Sequence, residues 1–450
     1  IDTLDPLSIS AITSTSHGSL VNNNDGTLTY TPHENYSGID LFAMTVLDSN
    51  GVAANISQVQ LDIVLGSFTW EDTGSATALW SDPANWGGTA PVAGSNVTIP
   101  NVAGLTVVFD NSAGNLFLNS ITANSNLLVS GGQLTLGDAI GDVSTFVAGT
   151  TLSVSGGTLA GAGKFDVLGG FNWSGGSITG SGTIDLTAAT SANITNTVLN
   201  GMTLLLDSNT AGVISGLTMQ SGQITNTGLA NMTAGDTFNL QGGTFATDSL
   251  AIDGDFNWTA GTVNVTNNIT VGSTGKLNLT GDNTLNATGM TNNGLLQKST
   301  GTGTTTFNVN GFTNTGTVLA NSGTLNFGTS YSQTAGILTL NGGNVQASSL
   351  VLNGGQLTGS GTITGNVTNN AIVAPGFSPG TLNITGNYTQ GVAGVVNMEL
   401  QGTAAGQFDQ INVTGTATLE GAMNLISLAP YTTSAQVNDS FDLITANNII

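Results

Sequence analysis

The chemistry open to this 450-residue chain starts from its carboxylates, because little else in it ionises. It has 26 acidic residues against three lysines (Lys164, Lys276, Lys298) and two histidines (His17, His33), with no arginine and no cysteine. Asp253 and Asp255 stand two positions apart. That spacing sets both on one strand face or both in one turn, where paired carboxylates can do acid–base work on a glycosidic bond. Asp253-Gly254-Asp255 also reads as a solvated turn, and this reading weighs more. Polysaccharide lysis needs a basic residue beside a metal-bound uronate, and hydrolysis of acidic polymers needs clustered Asp with Lys or His nearby. Here no histidine follows His33, and the lysines are far apart in sequence. Asp138 and Asp142 read the same way. The expectation is a protein that is not an enzyme.

The balance of charge excludes more. Charged residues make up 6% of the chain, against roughly 25% in an ordinary soluble domain. A formal net charge of -23 without arginine repels phosphate backbones and anionic lipid, so no nucleic acid and no anionic membrane surface is expected as a partner. Phosphoryl chemistry lacks its cationic clamps. Zero cysteine removes disulfides, thiolate nucleophiles and cysteine zinc sites. No apolar run reaches the ~18 residues of a spanning helix, so no membrane insertion is expected in this segment. Ile1-Asp2-Thr3-Leu4-Asp5 has neither the basic start nor the apolar centre of a signal peptide, and both ends read as cut from a longer polypeptide.

The elements that would position any site are strands. Eight prolines occur, at 6, 32, 83, 91, 100, 375, 379 and 430, and none lies between 101 and 374. Proline cannot donate to a ladder, so a proline-free stretch rich in Gly, Asn, Thr and Val suggests strands paired on both sides. Short alternation recurs, as in Gln133–Leu136, Thr151–Val154, Lys276–Leu279 and Thr324–Phe327. Glycine pairs punctuate it at 131–132, 156–157, 175–176, 242–243, 342–343 and 354–355. Phe171-Asn172-Trp173-Ser174 returns as Phe256-Asn257-Trp258-Thr259. Imperfect repeats near ~20 residues made of strand and turn read as a parallel β-solenoid. A flat ice-binding threonine array would need more regular repeats than these.

The first 65 residues differ. They contain Asn24-Asp25-Gly26-Thr27-Leu28-Thr29-Tyr30-Thr31-Pro32, a hairpin turn and strand, then Tyr36-Ser37-Gly38-Ile39-Asp40-Leu41-Phe42 and Val46-Leu47-Asp48-Ser49-Asn50-Gly51. Together these resemble the bacterial cadherin-like tandem repeat of giant surface adhesins. The resemblance implies calcium, with Asp2, Asp5, Asp40 and Asp48 around one ion and Asn50 or Asp62 assisting. Read from the residues alone, Asp25, Asp48 and Asn50 are turn formers that bond their own backbone.

Residues 68–100 carry Trp70, Trp80-Ser81-Asp82-Pro83-Ala84-Asn85-Trp86 and Val97-Thr98-Ile99-Pro100. They resemble the opening segment of bacterial solenoid surface proteins. Capping the first coil is the favoured role for these tryptophans, ahead of carbohydrate stacking. Further on, Pro375-Gly376-Phe377-Ser378-Pro379-Gly380-Thr381-Leu382 and Phe408-Asp409-Gln410-Ile411-Asn412-Val413-Thr414-Gly415 resemble autotransporter-type passenger domains. The expected fold is all-β: a right-handed parallel β-helix preceded by a small cadherin-like, immunoglobulin-like β-sandwich. Its parts are residues 1–65 (partial repeat), 66–100 (tryptophan-rich junction and cap), 101–374 (solenoid) and 375–450 (passenger-like, truncated). The expected role is structural and adhesive, secreted or on a bacterial surface. Its partner would be a surface glycan or protein, with self-association into fibres as a second mode. The alternative is a polysaccharide-binding or polysaccharide-degrading β-helix.

Overall fold

The computed structural model describes residues 7–33, 38–63, 66–72, 74–139, 141–189, 191–195, 197–207 and 212–450. It is nearly all β, 58% strand and 3% helix, with about 14 turns of parallel solenoid. The chain forms two compact units, Ile1–Gly170 and Phe171–Ile450.

The first unit opens with five antiparallel strands: β1 (Ser8–Ile12), β2 (Gly18–Asn22), β3 (Leu28–Pro32), β4 (Gly38–Leu47) and β5 (Ala53–Ile63). β4 lies between β1 and β5, and β2 pairs with β3 as a hairpin. The hairpin closes over Asn24 and Gly26, whose φ of 59° and 89° suit these two residue types. Beyond β5 the pairing becomes parallel. Strands Thr106–Phe109, Asn126–Val129 and Thr151–Val154 stack on one face. Asn115–Ala123, Gln133–Leu136 and Thr158–Gly161 stack on another. The alternation predicted for Gln133–Leu136 and Thr151–Val154 coincides with those strands, Leu134, Leu136, Leu152 and Val154 being buried.

In the second unit many coils have three short strands, while in others they run on as one longer strand such as Thr244–Ile252 or Gln356–Asn369. Strands pair in parallel with their counterparts one coil on. Asp255–Trp258 is followed by Lys276–Leu279, Leu295–Lys298 and Thr317–Ala320. Amide side chains that meet across neighbouring coils between Asn239 and Gln297 are 18 to 22 residues apart. Inward positions form columns, such as Phe256, Leu277, Leu296, Val318 and Leu338, all buried. Each contributes roughly 1.5–3 kcal/mol on burial. Aromatics share the interior: Phe238 and Phe256 stack at 5.2 Å, and Phe307 and Phe327 at 5.0 Å.

Glycine sets one corner. A Cβ on Gly294, Gly316, Gly336 or Gly355 would strike the carbonyl oxygen of the glycine one coil earlier. Gly336 also has a φ of 71°, so no other residue type meets both demands there. Near the C-terminus Leu400, Phe408 and Tyr431 form a satellite core with Phe441 and Leu443.

Candidate functional site

Asp40 is the most heavily engaged carboxylate of the cadherin-like module. It lies on β4 and is 2% exposed. Its Oδ1 accepts the backbone N–H of Ser16 at 3.0 Å and of Leu41 at 3.0 Å. Its Oδ2 accepts the N–H of His17 at 3.0 Å and the Tyr30 hydroxyl at 2.8 Å. The imidazole Nδ1 of His17 lies 3.6 Å from Oδ1. Burial pushes the carboxyl up, but the Tyr30 hydroxyl and the three N–H groups outweigh it and hold the pKa at about 2. Donors from the chain entering β2, and from β3, therefore converge on β4. Asp40 is a lock between two sheets.

Asp48 does something else. It follows β4, and its Oδ1 accepts the N–H of Asn50 at 2.9 Å and of Val52 at 2.7 Å, closing the turn into β5. This is the self-bonding turn read from the residues. An extended strand separates Asp40 from Asp48, so they stand roughly 25 Å apart and do not gather around one ion. Asp2 and Asp5 lie outside the described residues, as does the side chain of Asp62. Calcium takes six to eight oxygen ligands. Asp40 does not fit that demand, since its oxygens already face four donors. Among the described residues no group of three or more His, Asp or Glu is placed to hold a metal.

The paired-carboxylate reading also changes. Asp253 lies in the bend after strand Thr244–Ile252, whereas Asp255 opens strand Asp255–Trp258. Lys276, one coil on, places Nζ 3.0 Å from Asp255 Oδ1. Asp142 Oδ2 accepts the N–H of Asp138 at 2.9 Å and of Ala139 at 3.0 Å, organising a loop.

The tryptophans are interior. Trp70 and Trp80 are 1% exposed and Trp86 5%, leaving no ring face for a sugar. Trp86 lies 4.9 Å from Trp70 and 4.8 Å from Trp80, and Trp80 packs at 5.6 Å on Phe109 of the first coils. A short helical turn, Pro83–Trp86, delivers Trp86; Asp82 caps it and Gly87 ends it at φ 72°.

Three polar features escaped the sequence reading. Lys298 is completely buried, donating to Gly281 O at 2.7 Å, Asp282 Oδ1 at 2.9 Å and Thr305 Oγ1 at 3.2 Å. Inside the same coils Asn292 donates to Asn314 at 2.8 Å, and Asn314 to Gln333 at 3.1 Å. Asp409, 1% exposed, accepts the N–H of Gly380 at 2.7 Å and of Glu399 at 2.8 Å. Burial raises its pKa above the usual carboxylate range, and those two bonds oppose the shift. Each occupies an inward or corner position set by coil register, which composition does not show. On the flank, Asn239, Asn257, Asn278 and Gln297 form a ladder, with bonds of 2.9, 2.6 and 2.7 Å.

Residues 1–63 match the family model of a cadherin-like domain. No curated protein and no solved structure matches the chain. Cadherin-like domains generally bind calcium. No helix among the described residues is long and apolar enough to cross a membrane. A cadherin-like stretch followed by a parallel β-solenoid fits an extracellular protein and is compatible with a structural or adhesive one.

Proposed function

We propose that this chain is a non-enzymatic structural and adhesive segment of a secreted or cell-surface bacterial protein: a stalk, a fibre segment or an adhesin passenger. One observation carries the reading. The coils bury an almost wholly apolar interior and turn rows of Thr, Asn and Gln to solvent, as in the ladder from Asn239 to Gln297. Stacked coils hold like residues ~4.8 Å apart, so charged rows would repel, whereas amides bond along the stack. The outcome is a stiff, repetitive, hydrogen-bonding surface suited to many weak contacts. Beads coated with the whole chain should stay attached to a panel of cell, glycan and protein surfaces under washing. Retention no better than that of bare beads ends the adhesive reading.

The polysaccharide-degrading alternative predicts release of reducing ends or unsaturated uronates from a panel of acidic and neutral polymers. The ion pair that Asp255 makes with Lys276 argues against it. Calcium enters through the cadherin-like stretch alone. Its ligands are to be sought around Asp2 and Asp5, since Asp40 and Asp48 are committed to hydrogen bonds. A chelator should then lower the melting temperature of that module and leave the solenoid's unchanged. Self-association is favoured by the low-charge flank between Asp282 and Glu399, where the only charged side chain, Lys298, is buried.

A further inference from the structure

Between Asp282 and Glu399 the only charged side chain is Lys298, and the fold buries it completely. The coils in between therefore present no charge to solvent. One of their faces carries two outward rows in register. The first runs through Thr324, Asn344, Thr362 and Asn383, the second through Asn326, Gln346, Thr364 and Thr385. All eight are exposed or half-exposed. Members of a row are one strand spacing apart, ~4.8 Å, and the rows stand about two residue steps apart, ~7 Å. The rows are braced: Asn344 accepts the N–H of Thr362 at 2.9 Å, and Asn412 donates to Asn383 at 3.2 Å.

At the corner leading into strand Thr381–Thr385 stands Phe377, 59% exposed. Its loop is held rigidly. Buried Asp409 takes the N–H of Gly380, and the Gly376 N–H donates to Gly359 O at 2.8 Å. Ser378 is kept at a φ of 114°, a region that non-glycine residues occupy only when their surroundings impose it. An exposed apolar ring thus stands at the corner that leads into the strand carrying Asn383 and Thr385.

We propose that this face, entered over Phe377, binds an extended neutral polysaccharide. The inference rests on the adhesive reading and names its partner. Charge selects the class: a polyanion finds no exposed cation here, a polycation finds no carboxylate, and an uncharged polymer loses no counter-charge on docking. Geometry selects the form. The C–H face of a sugar ring stacks on a fixed phenyl, and a pyranose unit is about as long as the coil spacing. Successive sugars in an extended chain can therefore present hydroxyls to successive coils. Bracing of the rows lowers the ordering cost of each contact.

Co-sedimentation of the whole chain with insoluble cellulose, chitin and curdlan tests this, with alginate gel as the acidic control. Retention is expected on at least one neutral solid and should change little with salt. Phe377→Ala should lower the bound fraction at least fivefold, and Gln346→Glu with Thr364→Glu should do the same. Val392→Ala, at another exposed turn, should bind as the parent does, and all variants should keep its circular dichroism. Absence of retention on every neutral solid overturns the proposal, as does retention on alginate alone or full binding by both face variants. Thermal hysteresis without glycan retention assigns the face to ice and overturns it too. Beads that still hold to cell surfaces while the neutral solids fail leave the adhesive reading standing without this partner.

Discussion

Two side chains show how little the type of a residue says about its use here. Asp40 reads as a metal ligand by its place in the motif, yet its oxygens are saturated by N–H and O–H donors. Its folded pKa of about 2 lies below the ordinary 3.8. Its stabilisation is therefore complete above the unfolded value and lost as pH falls through about 2. Hydrogen exchange at the Ser16 and His17 amides should stay protected down to about pH 4 and lose protection towards pH 2. Asp40→Ala should abolish that protection already at neutral pH; unchanged exchange would show that the lock is not structural. Lys298 is the converse, a charge placed where its column otherwise holds Leu279 and Ala320. Lys298→Ala should cost about 3 kcal/mol, combining a cavity with three abandoned acceptors. Lys298→Met, which refills the space, should cost about 1–2 kcal/mol. Asp282 is half-exposed and rehydrates, which keeps the ion-pair share small. Urea titrations of the two variants separate packing from hydrogen bonding.

At the scale of the element, turns and columns decide what a strand can be. Gly336 and Gly406 both have positive φ, 71° and 79°, but only Gly336 has carbonyl oxygen where a Cβ would go. Gly406→Ala should cost about 1 kcal/mol from backbone conformation alone. Gly336→Ala should cost about 3 kcal/mol or more, because the neighbouring coil cannot retreat. Equal midpoints in denaturation would refute the corner assignment. Strand positions were legible because period-two alternation is imposed by the pleat itself: Lys276–Leu279 was read from sequence as it stands in the fold. The interior place of Trp70, Trp80 and Trp86 follows from their size, since three large rings so close in sequence need something to pack against. The ladder partners were not legible. Asn278 meets Asn257 only because a coil here takes 21 residues, whereas Gln297 is 19 further on.

For the molecule as a whole, scarcity of charge has a consequence for assembly. The coils between Asp282 and Glu399 show no charge to solvent, so copies of the chain meet little local repulsion along that flank. Gln346 and Thr364, both exposed there, are the places to add charge. Sedimentation velocity over a range of concentrations should show self-association of the parent, and Gln346→Glu with Thr364→Glu should shift it towards monomer. A parent that stays monomeric throughout removes fibre formation from the functional reading. Added salt, which screens the repulsion set by a net charge of -23, should favour association.

Composition, the proline gap and the turn spacing suffice to read an all-β chain with a parallel solenoid. These properties are local or additive: alternation, turn chemistry and net charge depend on neighbours in sequence. What a carboxylate or an amide does is not local. Asp40 becomes a lock because residues 10 to 24 positions away bring it donors. Asp255 becomes an ion-pair partner because Lys276, 21 residues on, stands beside it in the next coil. Thr364 and Thr385, 21 residues apart, stand side by side because coil register pairs them. Register and packing assemble those groups, and both arise only when the coils stack.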